Sequence, residues 1–140
     1  MRRKRELILA KDIFGKQELK MKINRIGFSL DATYKLRQLK SRTGMTPNVL
    51  CRLGFMLSLK ENTIPSDADF PEGGMEINRH TLTGDHDLLY VALLRQRCFR
   101  DGIKSKKNIA KQFRAHMNRG AFLLAAKLID LQSVVELIPE

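Results

Sequence analysis

Between Ile23 and Lys60 the spacing of apolar residues changes period twice. Ile26, Phe28 and Leu30 fall at every second position, with Arg25, Gly27 and Ser29 between them, which is the period of a half-buried strand. A helical period follows at once. Ala32, Leu36 and Leu39 share one face of a first helix, Ser29 or Asp31 can cap it, and Gly44 supplies the left-handed residue that commonly ends a helix. A second helix starts at Thr46-Pro47, because Thr46 suits the cap and the missing proline N–H would be unpaired at the first position anyway. Its apolar set reads Val49, Leu50, Leu53, Met56 and Leu57. Gly54 lies inside it at a cost of about 1 kcal/mol relative to alanine, which marks a candidate close helix contact.

From Glu61 to Gly74 the chain has loop chemistry, with Pro65, Pro71, two glycines and the run Ser66-Asp67-Ala68-Asp69. Met75 to Arg79 reads as a short extended piece. Thr83 or Asp85 can then cap a helix from about His86 to Arg100, whose Leu88, Leu89, Val91, Ala92, Leu93 and Leu94 leave it almost without a polar face. Gly102 ends that helix and Ser105 can cap the next. There Ile109, Phe113 and Met117 face inward, and Lys107, Lys111, Arg114 and Asn118 run along the opposite side. Beyond Gly120, Phe122 to Ala126 with Leu128 and Ile129 is again apolar on most sides. Two such helices exceed what one small core hides, so one of them is expected between subunits of a homo-oligomer. The predicted fold is mainly α: one compact helical domain over residues 21–140, with an N-terminal strand-helix-helix unit of the ribbon-helix-helix kind. Residues 1–20 show no clean apolar face and read as a basic extension.

Length and composition narrow the choice. A chain of 140 residues, 43% hydrophobic and 29% charged, builds one ordinary globular core. No apolar run reaches the length of about 20 residues that crosses a bilayer. The basic start, Met1 to Arg5, is followed by an apolar stretch that breaks at Lys11-Asp12 with no small-residue cleavage site, so the protein is expected in the cytoplasm. The net charge of +11 calls for a polyanionic partner or an acidic subunit. Its distribution is uneven: residues 63–90 carry one basic and six acidic groups, and basic segments lie on both sides. Cys51 and Cys98 are too few for a disulfide scaffold, form no Cys-x-x-Cys pair, and sit in apolar surroundings expected to bury them.

Three blocks carry a family resemblance. The first is Leu36-Arg-Gln-Leu39-Lys40-Ser-Arg-Thr43-Gly44-Met-Thr46-Pro47-Asn48-Val-Leu50, with Arg52 and Ser58-Leu59 after it. The second is Gly74-Met-Glu76-Ile-Asn78-Arg79-His80-Thr81-Leu82-Thr-Gly84-Asp85, and the third Ala115-His116-Met-Asn118-Arg119-Gly120. Together, over roughly residues 21–130, these resemble the DNA sulfur modification protein DndE family, small components of bacterial and archaeal DNA phosphorothioation systems. The resemblance implies an accessory subunit whose partners are duplex DNA and the other modification subunits, in a homo-oligomer for which a tetramer is favoured.

On the first helix Arg37 and Lys40 share one exposed flank, and Lys35 and Arg42 the other. With Arg52 and the stripe Lys107, Lys111 and Arg114 they form a candidate phosphate-contacting set. Thr46 and Asn48 join it, since the N–H groups of a helix start can receive a phosphate. A solvated helix face and a cap serving stability alone are the competing readings. The outward strand residues Arg25, Gly27 and Ser29 include one strong base reader, so backbone or shape recognition is expected, extending to nicked or distorted duplex, with little sequence preference. That argues against a ribbon-helix-helix repressor. A structural adaptor whose basic faces bind acidic subunits remains the alternative. No catalytic constellation is recognised. His80, Asp85, His86 and Asp87 match no ligand spacing, Gly73-Gly74 lacks the Lys-Ser/Thr of a nucleotide loop, and there is no Gly-x-Ser-x-Gly elbow. No cofactor or metal is expected. Glu76, Asn78, Arg79 and His116 are assigned structural or subunit-contact roles, with an ion pair between Glu76 and Arg79 and a hydrogen-bonded core-edge position for His116.

Overall fold

Ser29 decides where strand gives way to helix. Its side chain accepts a hydrogen bond from the Ala32 amide at 3.1 Å, closing the open start of the first helix, while its own amide donates to Asn118 Oδ1 at 2.9 Å. The structure, a computed structural model, describes residues 21–128 and 135–136. The basic extension 1–20 and most of the segment after Leu128 lie outside the described residues. Strand β1 spans Arg25–Gly27, helix α1 Leu30–Thr43 and α2 Pro47–Lys60, followed by a single 3-10 turn at Asp67–Asp69. Strand β2 covers Glu76–Asn78, α3 Arg79–Thr83, α4 Asp87–Arg100 after a 3-10 turn at Gly84–His86, and α5 Lys106–Lys127.

β1 and β2 pair antiparallel with Ile26 opposite Ile77, and bonds from Arg79 to Asn24 and from Phe28 to Met75 lengthen the ladder at both ends. The expected strand therefore forms, but it ends at Gly27, three residues before the last position of the alternation. Ile26 and Phe28 are buried, whereas Leu30 is the first residue of α1 and exposed. The hydrogen-bonding edge that β1 turns to β2 is satisfied within the chain, unlike a strand presented to a partner or a DNA groove. Ser29 is buried as a cap and does not point outward.

α1 behaves as its sequence dictates. Ala32, Leu36 and Leu39 are buried, and Gly44 closes the helix at φ 74° with its amide bonded to Lys40 O. The chain turns at once into α2, with Pro47 at its first turn, although Thr46 makes no side-chain cap bond. The buried face of α2 is the predicted one only in part: Leu50 is buried and Leu57 packs against the core as expected. Leu50, Cys51, Gly54, Phe55 and Ser58 point inward, and Leu53 and Met56 are exposed.

The reason is a close helix crossing. α2 makes its most extensive contact with α5, where Gly54 meets Gly120 so tightly that a Cβ on Gly54 would lie 2.6 Å from the Gly120 carbonyl carbon. The small face of α2 has to face that crossing, and Leu53 and Met56 are carried round to solvent. Gly120 accordingly interrupts nothing: α5 runs unbroken from Lys106 to Lys127, and the two segments expected on either side of Gly120 are one helix. Around this pair Phe28, Leu36, Leu50, Phe55, Leu82, Leu94, Phe113, Met117 and Leu124 close a single core.

A second device orders the irregular segment after α2. Arg97 of α4 donates to the Leu59 and Thr63 carbonyls at 2.7 Å each and to Asp101 Oδ2 at 2.8 Å. Arg119 of α5 donates to the Ser58 carbonyl, the Ser58 hydroxyl and both oxygens of Thr63. Gln112 reaches Pro65 O at 2.8 Å, and Arg114 reaches Asp67 Oδ1 at 3.0 Å and Phe70 O. Side chains from α4 and α5 thus supply the donors that a neighbouring strand would otherwise provide.

Candidate nucleic-acid interface

The basic residues sort into two populations. Arg79, Arg97 and Arg114 are largely buried and ion-paired, with Asp87, Asp101 and Asp67. By contrast Arg37, Lys40, Arg42, Lys107 and Lys111 are exposed and Lys35 is half-buried, and among the described residues none of the six has a carboxylate partner.

α1 carries four of these cations on its outward side. Lys40 and Arg42 in the last turn and Asp31 in the first complement the helix dipole, so their placement has a local reason. The start of α5 has no such reason. Ser105 caps it, accepting from the Asn108 amide at 3.1 Å, yet its first turn holds no acidic residue and carries Lys106 and Lys107, cations where the dipole disfavours them. An external anion relieves that mismatch. Lys106 and Lys107 also border an open cavity of about 540 Å³ shared with Met21, Lys22, Ile23, Arg95 and Ala110. Lys104 and Lys106 were not among the candidates, though the run Lys104-Ser105-Lys106-Lys107 carried the signal.

Other candidates are engaged within the chain. Arg52 donates from Nε to Leu82 O and from Nη2 to Thr81 O at 3.1 Å, closing the end of α3. Asn48 Nδ2 reaches the same Thr81 carbonyl at 3.5 Å, and Thr46 is exposed. Arg114 and Asn118 turn inward, so the expected basic stripe of α5 ends at Lys111. Asn118 donates to Gly27 O at 3.2 Å and accepts from the Ser29 amide, holding the chain on both sides of Phe28.

The second and third matched blocks build structure. Arg79 does not pair with Glu76. Its Nε and Nη2 donate to the two oxygens of Asp87 at 3.1 and 3.0 Å, and Nη1 donates to the Met21 and Ile23 carbonyls. Glu76 is exposed and lies 3.7 Å from Arg25, the one strong base reader of the strand. The Asn78 side chain caps α3 through the His80 amide at 2.9 Å. Among the described residues no group of three or more His, Cys, Asp or Glu side chains is placed to hold a metal ion. Burial pushes the Cys51 thiol up to about 12 and the Cys98 thiol up to about 11, so both are held as neutral thiols.

His116 lies in the core and not at its edge, fully buried. Its Nδ1 is 2.8 Å from Ser58 Oγ, which accepts from Arg119 Nε at 2.8 Å. The imidazole is held neutral in this setting. Burial, then the charges of Arg119 and Arg97, bring its pKa down to about 3 from 6.5. The unfolded chain then binds a proton that the native one refuses. Stability is complete above pH 6.5 and falls as pH drops toward 3, by up to about 1.4 kcal/mol per pH unit. Urea unfolding between pH 7 and 4 should show this slope, and His116→Gln should flatten it; an unchanged slope in the variant would place the acid sensitivity elsewhere.

Among the described residues no helix is long and apolar enough to cross a membrane. A sequence profile of the DNA sulphur modification protein DndE family matches residues 25–130. The fold is similar to the crystal structure of DndE from Escherichia coli B7A, a protein involved in DNA phosphorothioation modification, with 25% identity and a TM-score of 0.61 over 75% of this chain and 99% of that one. A crystal structure of a DndE mutant with lysines in place of two glycines, also involved in DNA phosphorothioation, aligns with 23% identity and a TM-score of 0.59 over 74% of this chain and 99% of that one. No curated protein matches. The profile covers most of the chain, including all three blocks from which the resemblance was drawn, and the chain belongs to the DNA sulphur modification protein DndE family.

Proposed function

We propose that this protein is a DNA-holding accessory subunit of the phosphorothioation machinery, gripping duplex DNA through Lys/Arg–phosphate contacts with little sequence preference. The observation that carries this is the sorting of cations. The arginines the fold requires are paired inside, and the four cations of α1 with Lys107 and Lys111 lie on the surface, with Lys35 half-buried, and have no carboxylate partner among the described residues. Arg25 beside Glu76 and the in-chain pairing of β1 leave the strand poorly suited to reading bases, which favours backbone or shape recognition and the holding of nicked or distorted duplex. The subunit assembles other components around DNA and has no catalytic role of its own in this reading.

The test is duplex affinity as a function of salt, for the wild type and for Lys35→Glu/Lys40→Glu. Log affinity should fall with log salt at about 0.9 per contacted phosphate, more shallowly in the double variant. A folded protein that binds no duplex at low salt would refute the proposal.

One observation favours a second role beside it. Leu53, Met56, Leu89 and Phe99 are exposed on α2 and α4, and Phe99 is 80% accessible. An apolar surface of this kind suits contact with another copy or another subunit, in line with the expected homo-oligomer, for which a tetramer is favoured. If DNA binding fails, this surface makes the adaptor the better account.

A further inference from the structure

The outward face of α1 contains a ring that its charge does not explain. Tyr34 is 61% exposed and Leu30, one turn before it, 68%. Among the described residues the Tyr34 hydroxyl has no hydrogen-bond partner and its ring stacks on no other. With about 100° between successive helical residues, Tyr34 falls between the two basic flanks, Arg37 and Lys40 on one side and Lys35 and Arg42 on the other. Leu30 extends the apolar strip toward the helix start. Asp31, the one carboxylate on this helix, lies one turn before Tyr34 and four residues before Lys35, and all four cations follow the ring toward the helix end.

We infer that Tyr34, with Leu30 beside it, is a stacking platform for an unstacked nucleobase, held between two rows of phosphate-binding cations. The inference rests on the DNA-holding function proposed above and gives it a structural preference. Charge complementarity selects the partner class, since the outward side of α1 carries four cations against one carboxylate and so draws a polyanion. Ring chemistry then selects the feature of that polyanion. In an intact duplex the base faces are covered by their neighbours; a nick removes the backbone link and eases unstacking there, and a gap or a single strand leaves faces open. Aromatic side chains on phosphate-tracking surfaces take such faces without regard to sequence, because every base presents one.

The experiment uses the full chain and three labelled DNAs of one sequence: intact duplex, the same duplex with a single nick, and the single strand. A 2-aminopurine placed at the nick reports stacking through its emission. Wild type should prefer the nicked duplex over the intact one. Tyr34→Ala should lower that preference by about fivefold or more, with the affinity for intact duplex and its salt slope unchanged. Tyr34→Phe should keep the preference and the change in 2-aminopurine emission. A larger Tyr34→Ala effect on the single strand than on the nick would assign the platform to melted strands instead. Three results would overturn the inference: a wild type blind to the nick, a Tyr34→Ala preference equal to wild type, or a change in oligomeric mass in Tyr34→Ala, which would make the ring a subunit contact. Retained salt-dependent binding without any Tyr34 effect removes the platform alone. Absence of binding to every DNA removes the DNA-holding function with it.

Discussion

Gly54→Val is expected to abolish the native fold, and Gly54→Ala to lower stability by about 3 kcal/mol or more. Alanine is the better helix former by about 1 kcal/mol, so propensity alone predicts the opposite sign. What decides is the object in the way. A Cβ on Gly54 would lie 2.6 Å from the carbonyl carbon and oxygen of Gly120, which are backbone atoms of a long helix and cannot swing aside as a side chain would. Relief requires α2 and α5 to separate, and with them the largest part of the core. Gly120→Ala meets the Gly54 carbonyl in return and should fail in the same way. Urea unfolding followed by circular dichroism reads both. An alanine variant as stable as wild type would mean that the helices separate at little cost and that the crossing is not the keystone described here.

The second large effect concerns the buried cation of α4. The side chains of Arg97 and Asp101 are 3% and 9% exposed, so neither is reached by much water. Arg97→Met removes the guanidinium, leaves Asp101 as an uncompensated charge, and leaves the Leu59 carbonyl without its donor. The expected loss is about 3–5 kcal/mol. Much of it should return in Arg97→Met/Asp101→Asn, because the dominant penalty is the stranded carboxylate and not the missing bond. Comparing urea midpoints of the two variants separates these terms. A double variant no better than the single would show that the carbonyl contacts carry the effect.

These two features also show how far the sequence could be read. Local chemistry was legible wherever one residue settles its own surroundings: Ser29 caps α1, Gly44 ends it in the left-handed conformation, and Pro47 opens α2. Gly54 was recognised as a contact because a glycine inside a helix needs a reason. What it could not reveal was the partner, 66 positions away in the chain. The α2 sequence offers apolar residues around most of its circumference, so periodicity did not choose among Leu50, Leu53, Met56 and Leu57. The crossing chose the face with the small residues, and Gly120, taken for an interruption, was the other half of the explanation.

Charge was legible in amount and less so in use. The excess of +11 pointed to a polyanion, but Arg52, Arg79, Arg97, Arg114 and Arg119 bind carbonyls and carboxylates of their own chain. Helical spacing placed Arg114 and Asn118 on the same face as Lys107 and Lys111. The face is continuous on paper, but the loop at Asp67 and the strand end at Gly27 fold over its second half. Glu76 with Arg79 failed for a related reason: three residues apart suits a pair within one helix, whereas Glu76 lies in β2 and the Arg79 guanidinium points to Asp87 at the start of α4.

The donors from α4 and α5 that hold the end of α2 and the segment after it grip them mostly by carbonyl oxygens, at Ser58 and Leu59 in the last turn and at Thr63, Pro65 and Phe70 beyond it. Every amino acid presents that atom alike. The path of this segment is therefore written largely in the helices that surround it, and apart from Thr63, Pro65, Asp67 and Phe70, whose side chains are bonded or packed, its side chains are at liberty to vary. Ile64, Asp69 and Glu72 stand in solvent, so the outer surface here can be rewritten for a new acidic or apolar partner without redrawing the fold. The same freedom does not extend to Arg97 or Arg119: one tract can drift as fast as its partners demand, while the tract that shapes it must stay still.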